Sequence, residues 1–405
     1  RARVAALLSG PMGDLALFAV GPATALLTTP VLSQSLGPVG RGEYGLAISI
    51  ASLATSVGAF GQPEIYMGDV AKGRTERGHA ITIALATSLS ISAGLFYLVP
   101  QVGVTIAALA LAPVAVLAQS NLWRSQCVTR AAPARVAQTA ALTAVLRFLA
   151  LMTCAAFGGL TVAAAVVASQ WLTAVGTFWL LNQGPARHRR EKTGPRRPMS
   201  SSPIAQLYRG RTIVGIDLLN AFVISGPVLV MAHLADLSQV GLYTAAASVT
   251  SAAMIISAVF KNRMQAHCLS GDRAGLRRYT RSLVFVSFGV GFSGAILSKP
   301  LTAILFGSEF SGIASVFAIL SFATGAQMLQ DVAQGLLVTL GMRRQMLYST
   351  TISAVAMLLV IFAFWAELSA DVFAVAFLVA VLSSALFSGW TARQAFRQAS
   401  ASVPQ

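Results

Sequence analysis

The chain of 405 residues is 56% apolar and only 10% charged, with a mean hydropathy of +0.72 and a net charge of +16. Those values exclude an ordinary soluble domain, in which about a quarter of the residues are charged, and describe a chain whose solvent is mainly lipid. At about 20 apolar residues per helix, the length accommodates about a dozen membrane spans and leaves no segment for a sizeable soluble domain.

In chain order the apolar stretches predict spans at Leu15–Ser33, Tyr44–Pro63, Ile81–Val99, Val104–Leu122, Val136–Phe157 and Thr161–Leu181. A second six follow at Ile213–His233, Tyr243–Val259, Leu283–Leu297, Ile313–Leu337, Tyr348–Phe364 and Val372–Trp390. Stretches of this length suit helices, because transmembrane strands need only about ten alternating residues. The ninth span is short and the tenth long. Their boundary, through Lys299, Pro300 and Phe306–Phe310, is expected to hold an interfacial turn.

Twenty-six of the 29 Lys and Arg residues fall in alternate gaps between these spans, and the other gaps hold only Arg41 and Lys299. Such asymmetry is the positive-inside pattern, so both termini are expected in the cytoplasm, with twelve crossings. The basic charge is then topological, and a nucleic-acid partner is not expected. Gly, Pro and Ser punctuate the longest basic run, Arg187–Arg197, which has the composition of a linker and could touch anionic headgroups. The expected domains are a six-helix bundle over 1–183, a basic cytoplasmic linker over 184–211, a second bundle over 212–393 and a tail over 394–405.

The halves repeat at an offset of 199: Gly42, Tyr44, Ala47, Ser49 and Ser52 match Gly241, Tyr243, Ala246, Ser248 and Ser251. Because six is even, both halves enter the membrane from one side, which predicts parallel repeats about an axis along the membrane normal. The expected fold class is an all-α polytopic membrane protein, two six-helix bundles around a central cavity. Transporters of that design hold substrate between the halves and alternate access to it.

Chemistry-bearing motifs are sparse. Cys127, Cys154 and Cys268 are an odd number with no disulfide pattern, and His79, His188, His233 and His267 have no metal-binding spacing, so no metal or cofactor is expected. Gly289, Gly291 and Gly294 spell a dinucleotide fingerprint, but inside an apolar span they predict close helix packing instead. No nucleophile and base stand together, so the chain is not expected to be an enzyme.

Arg147 is the one basic residue that the topology leaves over. It lies about twelve residues into a span of 22, roughly 16 to 18 Å of helix from either end, beyond the reach of a snorkelling side chain. A central Arg costs about 2.5 to 3.5 kcal/mol on insertion scales, which calls for a wet cavity or an anionic partner. It shares a helix face with Ala140, Thr143, Ala144, Ala150 and Cys154, all small. In the tenth span Gln327, Gln330, Asp331 and Gln334 stand at i, i+3, i+4 and i+7, a stripe that cannot comfortably face lipid. Gln170 with Thr173 and Thr177 repeats it weakly in the sixth span, and Asp217 with Asn220 in the seventh. Arg147, Gln170, Asn220, Gln327, Gln330 and Gln334 are therefore candidate cavity residues. Asp331, Asp217 and Glu64 are candidates for ion coupling or ion pairing, and Arg147 is one candidate partner of Asp331.

The stretch Leu36-Gly37-Pro38-Val39-Gly40-Arg41-Gly42-Glu43-Tyr44-Gly45-Leu46, with Gly61-Gln62-Pro63-Glu64 after it, resembles a family's L-G-P-x-x-x-G loop and G-x-P-E helix end. The family is that of the oligosaccharide flippases of the multidrug/oligosaccharidyl-lipid/polysaccharide exporter superfamily. The resemblance implies a carrier that moves an undecaprenyl-diphosphate oligosaccharide between leaflets, with Arg147 in the role of the diphosphate-binding cation. It also implies glycosyltransferases and a polysaccharide polymerase as functional partners. Many such relatives carry an acidic residue midway along helix seven, where this chain has Gly226-Pro227. The rival expectations are a multidrug exporter of the same superfamily, whose cavity should favour carboxylates and aromatics for organic cations, and a non-transporting membrane scaffold.

Overall fold

The computed structural model describes residues 11–59, 103–120, 133–182, 203–269, 272–310 and 312–401, and every regular element among them is helical. In chain order these are α1 (Pro11–Gly58), α2 (Val104–Leu111), α3 (Pro133–Ala156), α4 (Val162–Val166) and, after a π turn at Val167–Trp171, α5 (Leu172–Asn182). The second half supplies α6 (Pro203–Leu234), α7 (Leu237–Thr250), α8 (Met254–Leu269), α9 (Arg273–Phe306), α10 (Ile313–Thr339), α11 (Arg343–Ala363) and α12 (Ala370–Ala401). Eight helical stretches among the described residues are long and apolar enough to cross a membrane, and Val104–Ser120 is a shorter apolar helix. The chain is an all-α polytopic membrane protein. The expected third span and residues 184–202 of the expected linker, together with Glu64, Cys127, His79 and His188, lie outside the described residues, while 203–211 of that linker form the start of α6.

The first two expected spans join as α1, broken only at Gly37 (φ 65°, ψ 178°). Sequence explains the break. Pro38 disfavours helical geometry in the residue before it, glycine reaches positive φ without strain, and proline suits the first turn of the helix that resumes.

The chain forms two compact units, one of residues 1–36 and 43–221 and the other of 37–42 and 222–405. The boundary between them falls within α6, between Ala221 and Phe222. At 32 residues, about 48 Å, α6 is long enough to contribute to both units. α12 likewise continues through Ala401, into the expected tail.

In the second unit the short segment Gly37–Gly42 crosses α7 with no side chain between the backbones. A methyl group at Gly42 would overlap the Leu237 carbonyl, and one at Gly241 would overlap the Pro38 carbonyl. Residues 38 and 237, like 42 and 241, are one repeat apart, so the contact is reciprocal and the repeat read in sequence has a physical use here. Arg41, counted as a loop charge, is 2% exposed and donates to the Ser248 hydroxyl at 2.6 Å.

α10 is the most enclosed span, with 61% of its apolar window buried, and it packs chiefly against α12, α9 and α8. Helix association in lipid relies on close packing and interhelical hydrogen bonds rather than on expulsion of water. Gly291 and Gly294 admit Phe322 and Ser321 of α10, and Gly325 admits the backbone at Ser287. Gly289, in contrast, faces open space. Between α11 and α12, Ser349 and Ser384 share a hydroxyl bond of 2.6 Å and Ser353 donates to the Ala380 carbonyl at 2.9 Å.

α9 corrects the expected ninth span. It runs through Lys299 and Pro300 to Phe306, and the turn lies at 307–312, where Gly307 and Gly312 have φ of 75° and 91°. Membrane helices tolerate an internal proline more readily than soluble ones. At 34 residues, about 51 Å, α9 exceeds the hydrocarbon thickness, so one end must project into the headgroup region. Its start is capped by Asp272, which accepts from the Gly275 amide at 2.9 Å and meets His267 Nδ1 at 2.9 Å. The Gly275 amide, with His267 as a lesser contributor, holds the Asp272 carboxyl below its ordinary value.

Candidate functional site

Arg147 stands on the packed side of α3. Its neighbours at i−4, i−3 and i+4, Thr143, Ala144 and Leu151, are buried, while Leu142, Val145, Leu146 and Leu149 are exposed on the other side. That division follows from the helical period, which places 140, 143, 144, 147, 151 and 154 on one face. Thr143 presses its methyl group into the space left by Gly176 of α5, where a Cβ would be 2.8 Å away, so α3 and α5 approach closely beside the arginine. Arg147 remains half-buried. Among the described residues its guanidinium has no ion pair or hydrogen bond. Five N–H donors in a planar fork thus stay available on a face turned away from the apolar stripe, and they suit an oxyanion such as a phosphate.

The second unit contains a different arrangement. Ser257, Lys261 and Gln265 recur every fourth residue on α8 and meet the polar stripe of α10. Lys261 Nζ lies 2.8 Å from Asp331 Oδ1, and the Ser257 hydroxyl donates to Oδ2 at 2.9 Å, so both carboxylate oxygens are engaged. Gln265 donates to the Gly335 carbonyl at 3.0 Å. Gly335 also seats the lysine: a Cβ there would meet Lys261 Cγ, Cε and Cδ at 2.9, 3.1 and 3.2 Å. Gln330 and Gln334 are buried beside this pair, and the Gln334 amide nitrogen has no hydrogen-bond partner. Gln327 is half-buried. The pair remains partly accessible, with side chains 36% and 31% exposed.

Lys261 is the residue the sequence reading missed. It stands two residues beyond the expected end of the eighth span and was counted with the orientation charges. In the structure the helical stretch continues past Val259, and the candidate span reaches Gln265. The signal was present as the four-residue recurrence of Ser257, Lys261 and Gln265, but only Asp331, 70 positions on, gives it meaning. Asp331 is therefore engaged by Lys261 within its own unit.

The remaining expected positions divide between the units. Arg147, Gln170 in the π turn, and Asp217 and Asn220 on α6 belong to the first, and all four are half-buried. Gln327, Gln330, Asp331 and Gln334 belong to the second. Among the described residues no group of three or more His, Cys, Asp or Glu side chains is arranged to hold a metal ion. Cys154 and Cys268 are free thiols.

No family model matches the chain, and no curated protein matches it. Solved structures do. The inward-facing conformation of a multidrug resistance MATE family transporter of the MOP superfamily has a TM-score of 0.70, at 13% identity over 95% of this chain and 96% of its own. The lipid II flippase MurJ, in an inward closed conformation, has a TM-score of 0.72, at 10% identity over 95% and 88%. A MOP superfamily transporter from Pyrococcus furiosus, described as having a binding pocket of reverse polarity that suggests a different function, has a TM-score of 0.54 at 15% identity over 96% and 97%. The likeness is one of fold. The polytopic helical architecture is thus that of solved membrane transporters, and the side chains must supply the rest of the reading.

Proposed function

We propose that the chain is a membrane transporter that moves a lipid-linked oligosaccharide, carried on an undecaprenyl diphosphate, from the cytoplasmic to the outer leaflet by alternating access. The observation that carries this reading is the half-buried guanidinium of Arg147 on the packed side of α3, without a partner among the described residues. Two phosphates and a sugar chain cannot cross hydrocarbon unaided, and a cation held away from lipid offers the charge-assisted hydrogen bonds that a diphosphate needs. Gln327, Gln330 and Gln334 supply amides for sugar hydroxyls, and Gln170 and Asn220 supply more from the first unit.

An exporter of organic cations would be better served by an unpaired carboxylate. Asp331, the acidic residue of the α10 stripe, is matched by Lys261 and so gives that alternative little support. For the Pyrococcus furiosus transporter, too, it is the polarity of the binding pocket that suggests a different function. This reading expects a bacterial inner-membrane location with cytoplasmic termini, and glycosyltransferases and a polymerase that make and use the substrate.

The test is reconstitution in vesicles with fluorescent lipid-linked oligosaccharide on one leaflet and a cationic dye in a parallel assay. Flipping that falls in Arg147→Ala and partly recovers in Arg147→Lys supports the proposal. Unchanged flipping in Arg147→Ala removes the residue from the mechanism, and dye export without flipping favours the multidrug reading.

A further inference from the structure

α9 has an arrangement that span orientation alone does not require. Its first three turns carry Arg273, Arg277, Arg278 and Arg281, all exposed and, among the described residues, without an ion pair or hydrogen bond. The same helix then exposes Phe285 (80%), Phe288 (57%), Phe292 (56%) and Ile296 (76%). At 100° per residue, Arg278 and Arg281 fall within the arc occupied by those apolar side chains and Arg277 lies about 20° beyond its edge, while Leu283, Ser287, Gly291 and Ser298 form the buried side. The outward face of α9 is therefore one continuous stripe, cationic for two turns and apolar for the next three. α9 is also the least enclosed of the candidate spans, with 22% of its apolar window buried, as expected of a helix in contact with lipid.

Two further observations favour an external anion. Cations in the first turns of a helix oppose its macrodipole, and at the start of α9 the N-cap carboxylate of Asp272 stands against four arginines, with no acidic residue in the first turn. The start of the helix is nonetheless held in place. Asp272 caps it, and Arg263 of α8 donates to the Tyr279 hydroxyl at 2.8 Å. The arginines are thus presented from a fixed helix without partners of their own.

We infer that the outward face of α9 binds an anionic glycerophospholipid, whose headgroup phosphate is held by Arg277, Arg278 and Arg281 while its acyl chain lies along Phe285, Phe288 and Phe292. The occupant is a bilayer lipid because the cations sit directly above an apolar stripe about one lipid tail long. A soluble phosphate would make no use of the phenylalanines. Bidentate guanidinium bonding gives geometry to what would otherwise be a diffuse charge attraction.

The experiment uses the purified full chain and native mass spectrometry, with phosphatidylglycerol, phosphatidylcholine and inorganic phosphate as probes. The inference expects tighter binding of phosphatidylglycerol than of phosphatidylcholine. In R277Q/R278Q/R281Q that binding should weaken about a hundredfold, from the attraction each cation contributes near a charged surface. R277K/R278K/R281K, which keeps the charge but not the fork, should lose only a few-fold. R343Q/R344Q/R393Q removes equal charge elsewhere and should change little. F285A/F288A/F292A should weaken lipid binding and leave phosphate unaffected. Equal loss in the two glutamine triples would overturn the inference by reducing it to general charge. Phosphate displacing the lipid with the phenylalanine variant unaffected would overturn it in favour of a free-anion patch, and an absent preference for phosphatidylglycerol would overturn it outright.

Discussion

Arg147 on α3 and Lys261 on α8 are both cations on membrane helices, but the structure treats them oppositely. Lys261 has a seat in Gly335, a counter-ion in Asp331, and a serine on the other carboxylate oxygen. Arg147 has small neighbours and no partner among the described residues. A cation held by such a shell contributes to the packing of its own bundle, whereas one held without a partner keeps its donors for something that comes and goes. On the proposed reading, the contrast separates a structural charge from a binding charge more clearly than depth in the membrane does. It can be broken by removing each charge and asking whether transport or stability is lost.

The largest effect is expected at Arg147. Arg147→Ala should lower flipping of lipid-linked oligosaccharide about 10- to 100-fold, the worth of one hydrogen bond to a charged group, with expression and thermal midpoint unchanged. A lowered midpoint with unchanged flipping would reverse the assignment of roles.

The ion pair should show the opposite pattern. Asp331→Ala leaves Lys261 without its counter-ion and should destabilise the protein by about 1–3 kcal/mol. This is below the cost for a fully buried pair, because both side chains are about a third exposed. The double variant Lys261→Met/Asp331→Leu should recover most of that loss, as apolar replacements of ion pairs often do, and a double-mutant cycle of thermal midpoints measures the coupling. If the double variant is as unstable as the single one, the pair is more than a local contact.

Gly335→Ala sharpens the same comparison by removing the seat while keeping both charges. The new methyl group would press on the Lys261 stem, at a cost of about 1–2 kcal/mol unless the side chain shifts. In a Lys261→Ala background the stem is gone and the penalty should vanish. A penalty that persists there would place the strain elsewhere.

The same pair of cations shows what could be read before the structure was in hand. Arg147 was legible because its position in the apolar run is a matter of counting, and the small face around it follows from helical period alone. The stripe on α10 was legible for the same reason. Lys261 was not, because a hydropathy boundary at Val259 says nothing of a helix that continues to Leu269, and its meaning depends on a carboxylate 70 positions away. The division within α6 was hidden similarly, because it depends on which helices touch and no local composition marks it. Pro300 misled in the other direction, since the rule that prolines end helices is weakened in lipid and α9 passes through it.

The smallest effect is expected at the start of α9. Asp272 caps the helix through the Gly275 amide and, with His267 as a lesser contributor, has its carboxyl held below the ordinary value of 3.8. A carboxyl lowered in the folded state stabilises it at pH above the unfolded value, and the contribution is lost as pH falls through the folded one. Acidification below about pH 4 should therefore loosen the first turn of α9, and Asp272→Ala should do so at any pH. Because Asp272 is exposed, the change should be local: faster hydrogen exchange at the Ala274, Gly275 and Leu276 amides with the global midpoint unmoved. Asp272→Asn retains an acceptor for the cap and should protect those amides at pH 7 nearly as well as the wild type, while losing the pH dependence. Equal exchange in all three proteins would mean that Arg263 and Tyr279, rather than the cap, hold the helix in place.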